Sequence, residues 1–257
     1  MISRRSALSW LGVSAAGVGA VNAFPAFGKT RPADGTRVIA FERFCVTDVG
    51  QVLHLRSYIA DALLPCMDQL RNIPRMYLEA IVAPHTPETL VLTVYSSFNE
   101  MLEVRNRTSS DPRVRRAWSR IESAQVLDDV RSHVLIVSEE SVRFPAESAI
   151  VKSGLFEVRT WYAPAWREGP PPEVSSVLSR IGVRPIVGGA TAAGEHLPRF
   201  TYVVPFDSLA ARQHAWARLD EDAQWREMQR ESMSTYGSGV RTTAKAIYKL
   251  APYSPLA

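Results

Sequence analysis

Thr93-Val94-Tyr95-Ser96-Ser97-Phe98-Asn99-Glu100-Met101 and Tyr202-Val203-Val204-Pro205-Phe206-Asp207-Ser208-Leu209 follow one plan. In each, an apolar, β-prone run leads into Phe and then Asn or Asp, and a helix start follows at once. Moving outward, Asp111-Pro112-Arg113-Val114-Arg115 parallels Asp222-Ala223-Gln224-Trp225-Arg226, and Val130-Arg131-Ser132-His133 parallels Val240-Arg241-Thr242-Thr243. Upstream, Phe41-Glu42 parallels Phe156-Glu157. The offsets run from about 108 to about 115 residues and keep one order, which predicts a tandem duplication.

Local signals fill in each copy. In the first, Arg37 to Val46 reads as a strand, and Val49 to Arg71 as a helix with Val52, Leu55, Ile59, Leu63, Met67 and Leu70 on one face. Leu90 to Tyr95 and His133 to Ser138 read as strands. Between them, Ser97 to Glu100 forms a capping box and Asp111-Pro112 a second helix start, whose buried stripe is Val114, Trp118 and Ile121. In the second copy, Leu155 to Tyr162, Arg199 to Val204 and Ala244 to Leu250 read as strands. Val174 to Ile181, Leu209 to Leu219 and Ala223 to Ser232 read as helices, and Ser234 to Gly239 as a loop. Pro170-Pro171-Pro172 cannot sit inside a helix, so the stretch from Ala163 to Pro172 predicts a stiffened loop and a shortened helix. Phe144 to Ser153 breaks the periodicity and reads as the join.

A β-α-β-β-α-β order is the ferredoxin-like motif, whose sheet has one face under helices and one face bare. Two such units packed sheet to sheet would cover both bare faces. The fold class predicted is therefore α+β: two tandem ferredoxin-like units forming an intramolecular dimeric α/β barrel, with a cavity between the sheets.

The chain opens Ser3-Arg4-Arg5-Ser6-Ala7-Leu8, followed by an uncharged Gly/Ala-rich run to Ala20 and the small-residue site Val21-Asn22-Ala23. That layout predicts a twin-arginine signal cleaved after Ala23, with Arg4 and Arg5 engaging the Tat translocon and a periplasmic or extracellular destination. A retained anchor is the competing reading; the run of roughly 14 residues falls short of the about 20 that a spanning helix needs. No stable membrane insertion is expected after cleavage. Losing Arg4 and Arg5 takes the formal charge from +4 to +2, a balance that gives no reason to expect nucleic acid as a partner. Cys45 and Cys66 are expected as buried free thiols, although an oxidising compartment would permit a bridge.

Alternation along Phe156-Glu157-Val158-Arg159-Thr160-Trp161 separates two faces. Phe156, Val158 and Thr160 suit packing under helices, which would point Glu157, Arg159 and Trp161 into the barrel. There they form either a structural ion pair or a ligand site. Glu42 holds the place of Glu157 in the first copy, with Phe44 in the place of Arg159, and Tyr202 and Tyr95 are further candidate lining residues. His54, His85, His133, His196 and His214 show no zinc-type spacing, so no metal is predicted. No nucleophile elbow, P-loop or dinucleotide fingerprint is present in the sequence, and no cofactor is predicted. Trp118, Trp216 and Trp225 are expected in the core, His214 on the surface, and Arg212 bridging to an acidic neighbour.

Phe156-Glu157-Val158-Arg159-Thr160-Trp161 resembles the first strand of the NIPSNAP family. Ile181-Gly182-Val183-Arg184-Pro185-Ile186 with Leu197-Pro198-Arg199-Phe200-Thr201-Tyr202 is similar to its helix exit and second strand. Phe206-Asp207-Ser208-Leu209-Ala210-Ala211-Arg212, Ala215-Trp216, Asp222-Ala223-Gln224-Trp225 and the ending Leu250-Ala251-Pro252-Tyr253-Ser254-Pro255-Leu256 extend the resemblance. It covers nearly all of the second unit and, more faintly, the first; the proline-rich loop at Pro164 to Pro172 departs from it. The resemblance implies the dimeric α/β-barrel fold and no settled activity, while barrel relatives that are cofactor-free monooxygenases or haem-dependent enzymes bear on function by analogy alone. The organisation expected is a signal at 1–23, a linker at 24–36, a degenerate first unit at 37–143, a linker at 144–153 and a NIPSNAP domain at 154–257. The function expected is binding of a small, partly apolar ligand or a partner through the barrel, with a cofactor-free, monooxygenase-like enzyme as the alternative. Tandem units remove the need for a homo-oligomer and do not forbid one.

Overall fold

The computed structural model describes residues 35–70, 73–138, 142, 154–163, 171–194 and 199–255. The export signal with Arg4 and Arg5, the join expected at Phe144 to Ser153, His196, and most of the proline-rich loop lie outside the described residues. In the first half, β1 (Thr36–Val46) leads through a short 3-10 turn into α1 (Val52–Ser57). A π-helical segment (Tyr58–Leu63) continues it directly into α2 (Leu64–Leu70). Then come β2 (Arg75–Val82), β3 (Glu88–Tyr95), α3 (Phe98–Ser110), α4 (Pro112–Ser123) and β4 (Leu127–Ser138). The second half has β5 (Leu155–Tyr162), α5 (Pro172–Arg180), β6 (Val187–Ala193), β7 (Arg199–Phe206), α6 (Leu209–Glu221), α7 (Ala223–Tyr236) and β8 (Arg241–Leu250).

The eight strands close into one antiparallel barrel, ordered β1-β3-β2-β8-β5-β7-β6-β4. Closure leaves no free sheet edge to recruit another strand. β2 pairs with β8 at one seam, and β6 pairs with β4 at the other. At the second seam Gly189 permits close approach, since a Cβ there would stand 2.1 Å from Val137 Cγ1; Gly188 does the same toward β7, where a Cβ would stand 2.5 Å from the Tyr202 ring.

The helix starts follow the sequence signals. Ser97 accepts from the Glu100 amide and Ser208 from the Ala211 amide, each at the head of a helix. Asp111 and Asp222 end one helix and cap the next, with φ near −64° and −69°. Each such cap contributes about 1 kcal/mol. Two strands were not foreseen. β2 lies where the Val49–Arg71 helix was expected to give way to a connection, and β6 (VGGATAA) carries too few β-branched residues to announce itself. The expected loop at Ser234 is instead the last turn of α7, which ends at Gly237 in the left-handed conformation.

The barrel interior is packed mainly with apolar side chains, among them Ile39, Phe41, Met76, Leu78, Leu90, Leu92, Phe156 and Val158, with the Tyr248 hydroxyl donating to the buried Glu88. Two further layers lie outside the barrel, between sheet and helices. In the first half, Phe44, Tyr58, Tyr77 and Trp118 pack in one cluster, with Met67, Tyr95 and Val104 in a neighbouring one. In the second half, Trp161, Tyr202, Trp216 and Trp225 pack together. The predicted facing of β5 is thus reversed: Phe156 and Val158 point into the barrel, while Glu157, Arg159 and Trp161 lie under the helices. Both faces of β5 are covered, so alternation separates the two sets without saying which cover each one meets.

Candidate functional site

Glu157 is fully buried on the outer face of β5 and is held by three side chains. Arg159 Nε donates to Oε1 at 2.8 Å, Arg212 Nε to Oε2 at 2.8 Å, and Trp216 Nε1 to Oε2 at 2.6 Å. Arg212 and Trp216 sit one helical turn apart on α6, which explains why both reach the same carboxylate. The Arg159 guanidinium lies 3.5 Å from the centroid of the Trp216 ring. Burial pulls the Arg159 pKa down, against the opposing attraction of Glu157. Trp161 packs against the Tyr202, Trp216 and Trp225 rings at 5.3, 6.2 and 5.4 Å. A carboxylate saturated by three donors among packed indoles is what a structural ion-pair network requires.

Glu42 stands in a different environment. A cavity of about 300 Å³ lies between the first-half sheet and its helices. β1 contributes Glu42 and Phe44 to the wall, β2 contributes Tyr77, and β3 contributes Val91, Thr93 and Tyr95. Tyr58 and Met67 enter from the long helix, Val104, Arg105 and Thr108 from α3, and Val114 and Trp118 from α4. Arg105 Nη2 donates to Glu42 Oε1 at 3.0 Å, with both side chains about one-fifth exposed. Arg105 Nε is buried without a hydrogen-bond partner among the described residues. The rings of Tyr58 and Trp118 meet edge to face, with centroids 5.3 Å apart.

Burial raises the pKa values of the Tyr58, Tyr77 and Tyr95 phenols, and the negative charge of Glu42 adds to the effect in all three. The three hydroxyls therefore stay protonated and feel the charge of one carboxylate. Tyr77 is braced by the end of the chain: Ala251 N donates to its carbonyl at 2.9 Å, its own amide donates to Ser254 Oγ at 3.3 Å, and Tyr253 packs on its ring.

The five predicted lining residues therefore separate. Glu157, Arg159, Trp161 and Tyr202 form the filled cluster of the second half, and Glu42 alone borders the cavity, together with Tyr95. Tyr58, Tyr77 and Arg105 were missed. The helical stripe through Val52, Leu55 and Ile59 already implied that Tyr58 turns inward, but Tyr77 lay in the unassigned β2. Both cysteines are buried and free; burial and the nearby Glu88 charge push the Cys45 thiol up to about 11. His54 and His214 are exposed, and His133 stacks on Phe41 at 4.7 Å. Among the described residues no group of three or more His, Cys, Asp or Glu could hold a metal ion, and no helix is long and apolar enough to cross a membrane.

A closed barrel of eight antiparallel strands jacketed by helices is the architecture of the dimeric α/β-barrel proteins. Within it, residues 156–255 match the NIPSNAP family model. A solved structure of a candidate monooxygenase of Fusobacterium nucleatum is similar at a TM-score of 0.50 and 9% identity, over 84% of this chain and 93% of that one. Chlorite dismutase from Candidatus Nitrospira defluvii, solved in complex with imidazole, is similar at a TM-score of 0.50 and 10% identity, over 84% of this chain and 92% of that one. At such identities these likenesses establish a shared fold and nothing of the chemistry. No curated protein matches the chain by sequence.

Proposed function

We propose that this is an exported barrel protein that binds a small, partly apolar ligand in the first-half cavity, between sheet and helices. The observation that carries the reading is a cavity of about 300 Å³ walled by aromatic rings around a single anchoring pair, Glu42 and Arg105. Apolar walls with a few convergent polar groups are the usual build of a small-molecule site, and this volume is at the small end of the range. Native mass spectrometry of the purified protein tests it: a bound small molecule that leaves when Val104 is enlarged to Phe supports the site. A ligand whose retention is unaffected by Val104→Phe would place binding elsewhere.

The same reading takes the chain as two ferredoxin-like units, 37–143 and 154–257, after a cleaved signal at 1–23 recognised by the Tat translocon through Arg4 and Arg5. The strand order supports the two units, since it runs β4-β1-β3-β2 through one half and β8-β5-β7-β6 through the other. The paired caps Ser97 and Ser208, and Asp111 and Asp222, support it too. Replacing Arg4 and Arg5 together with Lys should leave the full-length precursor in the cytoplasm; normal export of that variant would overturn the signal assignment.

A cofactor-free oxygenase remains the second reading. It is favoured by Glu42, a carboxylate with one oxygen committed to Arg105 and no bond to the other among the described residues. Such an oxygen is placed to take a proton from a bound substrate. Substrate-dependent oxygen uptake that disappears in Glu42→Gln would select this reading over simple binding.

A further inference from the structure

The ligand class follows from which hydrogen-bonding capacities the cavity leaves open, and this step rests on the binding reading above. Glu42 and Arg105 already neutralise one another at 3.0 Å. A charged group brought between them would be left without a counterion in a largely desolvated space, which is costly. Glu42 has an oxygen to accept with. Tyr58 and Tyr77 line the same cavity, and burial keeps their phenols protonated. A carboxylate can only accept, whereas neutral phenols and a guanidinium can donate. The group that completes this pole must therefore donate to Glu42 and accept from Tyr58 or Tyr77 at once. A neutral hydroxyl does so with a single oxygen. The remaining wall is aromatic: Phe44, Tyr58 and Trp118 present rings meeting edge to face at 6.5 and 5.3 Å, a geometry that suits another ring.

We infer that the cavity takes a neutral, planar, hydroxylated aromatic, a phenol-type molecule of two or three fused rings, with its hydroxyl seated between Glu42 and the tyrosines. Burial keeps the tyrosine hydroxyls protonated, so they remain available as donors across the physiological range. The outer part of the lining carries one charge of each sign, Arg115 and Glu122, and so favours neither anion nor cation at the entrance.

Three probes of one size distinguish the classes by calorimetry: 2-naphthol, naphthalene and 2-naphthoate, titrated into the full-length purified protein. The expected result is that 2-naphthol binds about tenfold or more tightly than either of the others, the effect of one hydrogen bond to a charged group. Glu42→Gln should bring 2-naphthol to within about threefold of naphthalene, and Tyr58→Phe should weaken 2-naphthol alone. Circular dichroism establishes that both variants are folded. Equal affinity for 2-naphthol and naphthalene would overturn the hydroxyl requirement while leaving the cavity as a binding site. Tightest binding of 2-naphthoate would replace the neutral class by an anionic one. Failure of all three probes to bind would overturn the cavity reading itself.

Discussion

Replacing Glu157 by Gln strands a charge. Its carboxylate is fully buried and receives Arg159, Arg212 and Trp216. The two arginines differ in what they can do once the charge is gone. The Arg212 side chain is 19% exposed on α6 and can turn its head toward water. The Arg159 side chain is 7% exposed, lies on β5 and is pinned against the Trp216 ring, so it stays buried without a counterion. Breaking a buried pair from one side costs about 3–5 kcal/mol. At about 2–4 °C per kcal/mol for a domain of this size, the thermal midpoint should fall by roughly 6–20 °C. Urea unfolding followed by tryptophan fluorescence gives the free energy, and calorimetry gives the midpoint. The double variant Glu157→Gln/Arg159→Met removes the stranded charge and should recover more than half of the loss, because an apolar replacement of a buried pair is often neutral. A loss below about 1 kcal/mol in the single variant, or no recovery in the double, would refute the claim that this network is structural.

Three further outcomes follow from particular contacts. Gly189→Ala drives a methyl into Val137 at the β4–β6 seam and should cost about 1–3 kcal/mol in urea unfolding; a neutral substitution would mean that the seam yields. Ser254→Ala removes the acceptor of the Tyr77 amide and should cost about 1–3 kcal/mol, with faster hydrogen exchange at that amide as the specific readout; unchanged exchange would show that the amide finds another acceptor. His133 is held down to about 3 by burial and by the charges of Arg43 and Arg199. Because the folded value lies below the ordinary 6.5, the unfolded chain takes up this proton first. The stability it contributes is complete above pH 6.5 and is lost as pH falls toward 3, at no more than about 1.4 kcal/mol per pH unit. His133→Phe keeps a ring against Phe41 and should flatten the fall in midpoint between pH 7 and 5, and equal slopes in the two proteins would refute the assignment.

The parallel stretches at Thr93 and Tyr202 pointed to the barrel because helix caps and strand ends are local: Ser97, Asp111, Ser208 and Asp222 act through neighbours three residues away. The α+β class and the second-half family resemblance were legible for the same reason. What escaped depended on the third dimension. β6 is held in place by Gly188 and Gly189, whose use is visible only against Tyr202 and Val137. The inward or outward sense of Glu157 depended on which cover each face of β5 meets. Arg105 was missed because a lone arginine on an amphipathic helix carries no mark of the carboxylate 63 positions away that it binds.

The contrast between a hollow first half and a filled second half has a direct chemical origin under the two-unit reading. Counting from the shared Phe-Glu pair of the first strands, Arg159 and Trp161 correspond to Phe44 and Val46; counting from the shared caps, Trp225 corresponds to Val114 and Trp216 to Arg105. The second unit thus sets Arg159, Arg212 and the Trp216 indole on its glutamate, with Trp161 and Trp225 packed behind them. The first has two valines and a phenylalanine at the matching places, and its helix supplies an arginine to bond the glutamate where the other supplies an indole. Of these two exchanges of Trp for Val, Val114 stands in the cavity wall with Glu42 and leaves space there that an indole would fill. The first half differs at these positions from the second half, which is the part that matches the family model. Val114→Trp should close the cavity and abolish probe binding while leaving the barrel folded, and binding that survives the added indole would show that the space lies elsewhere.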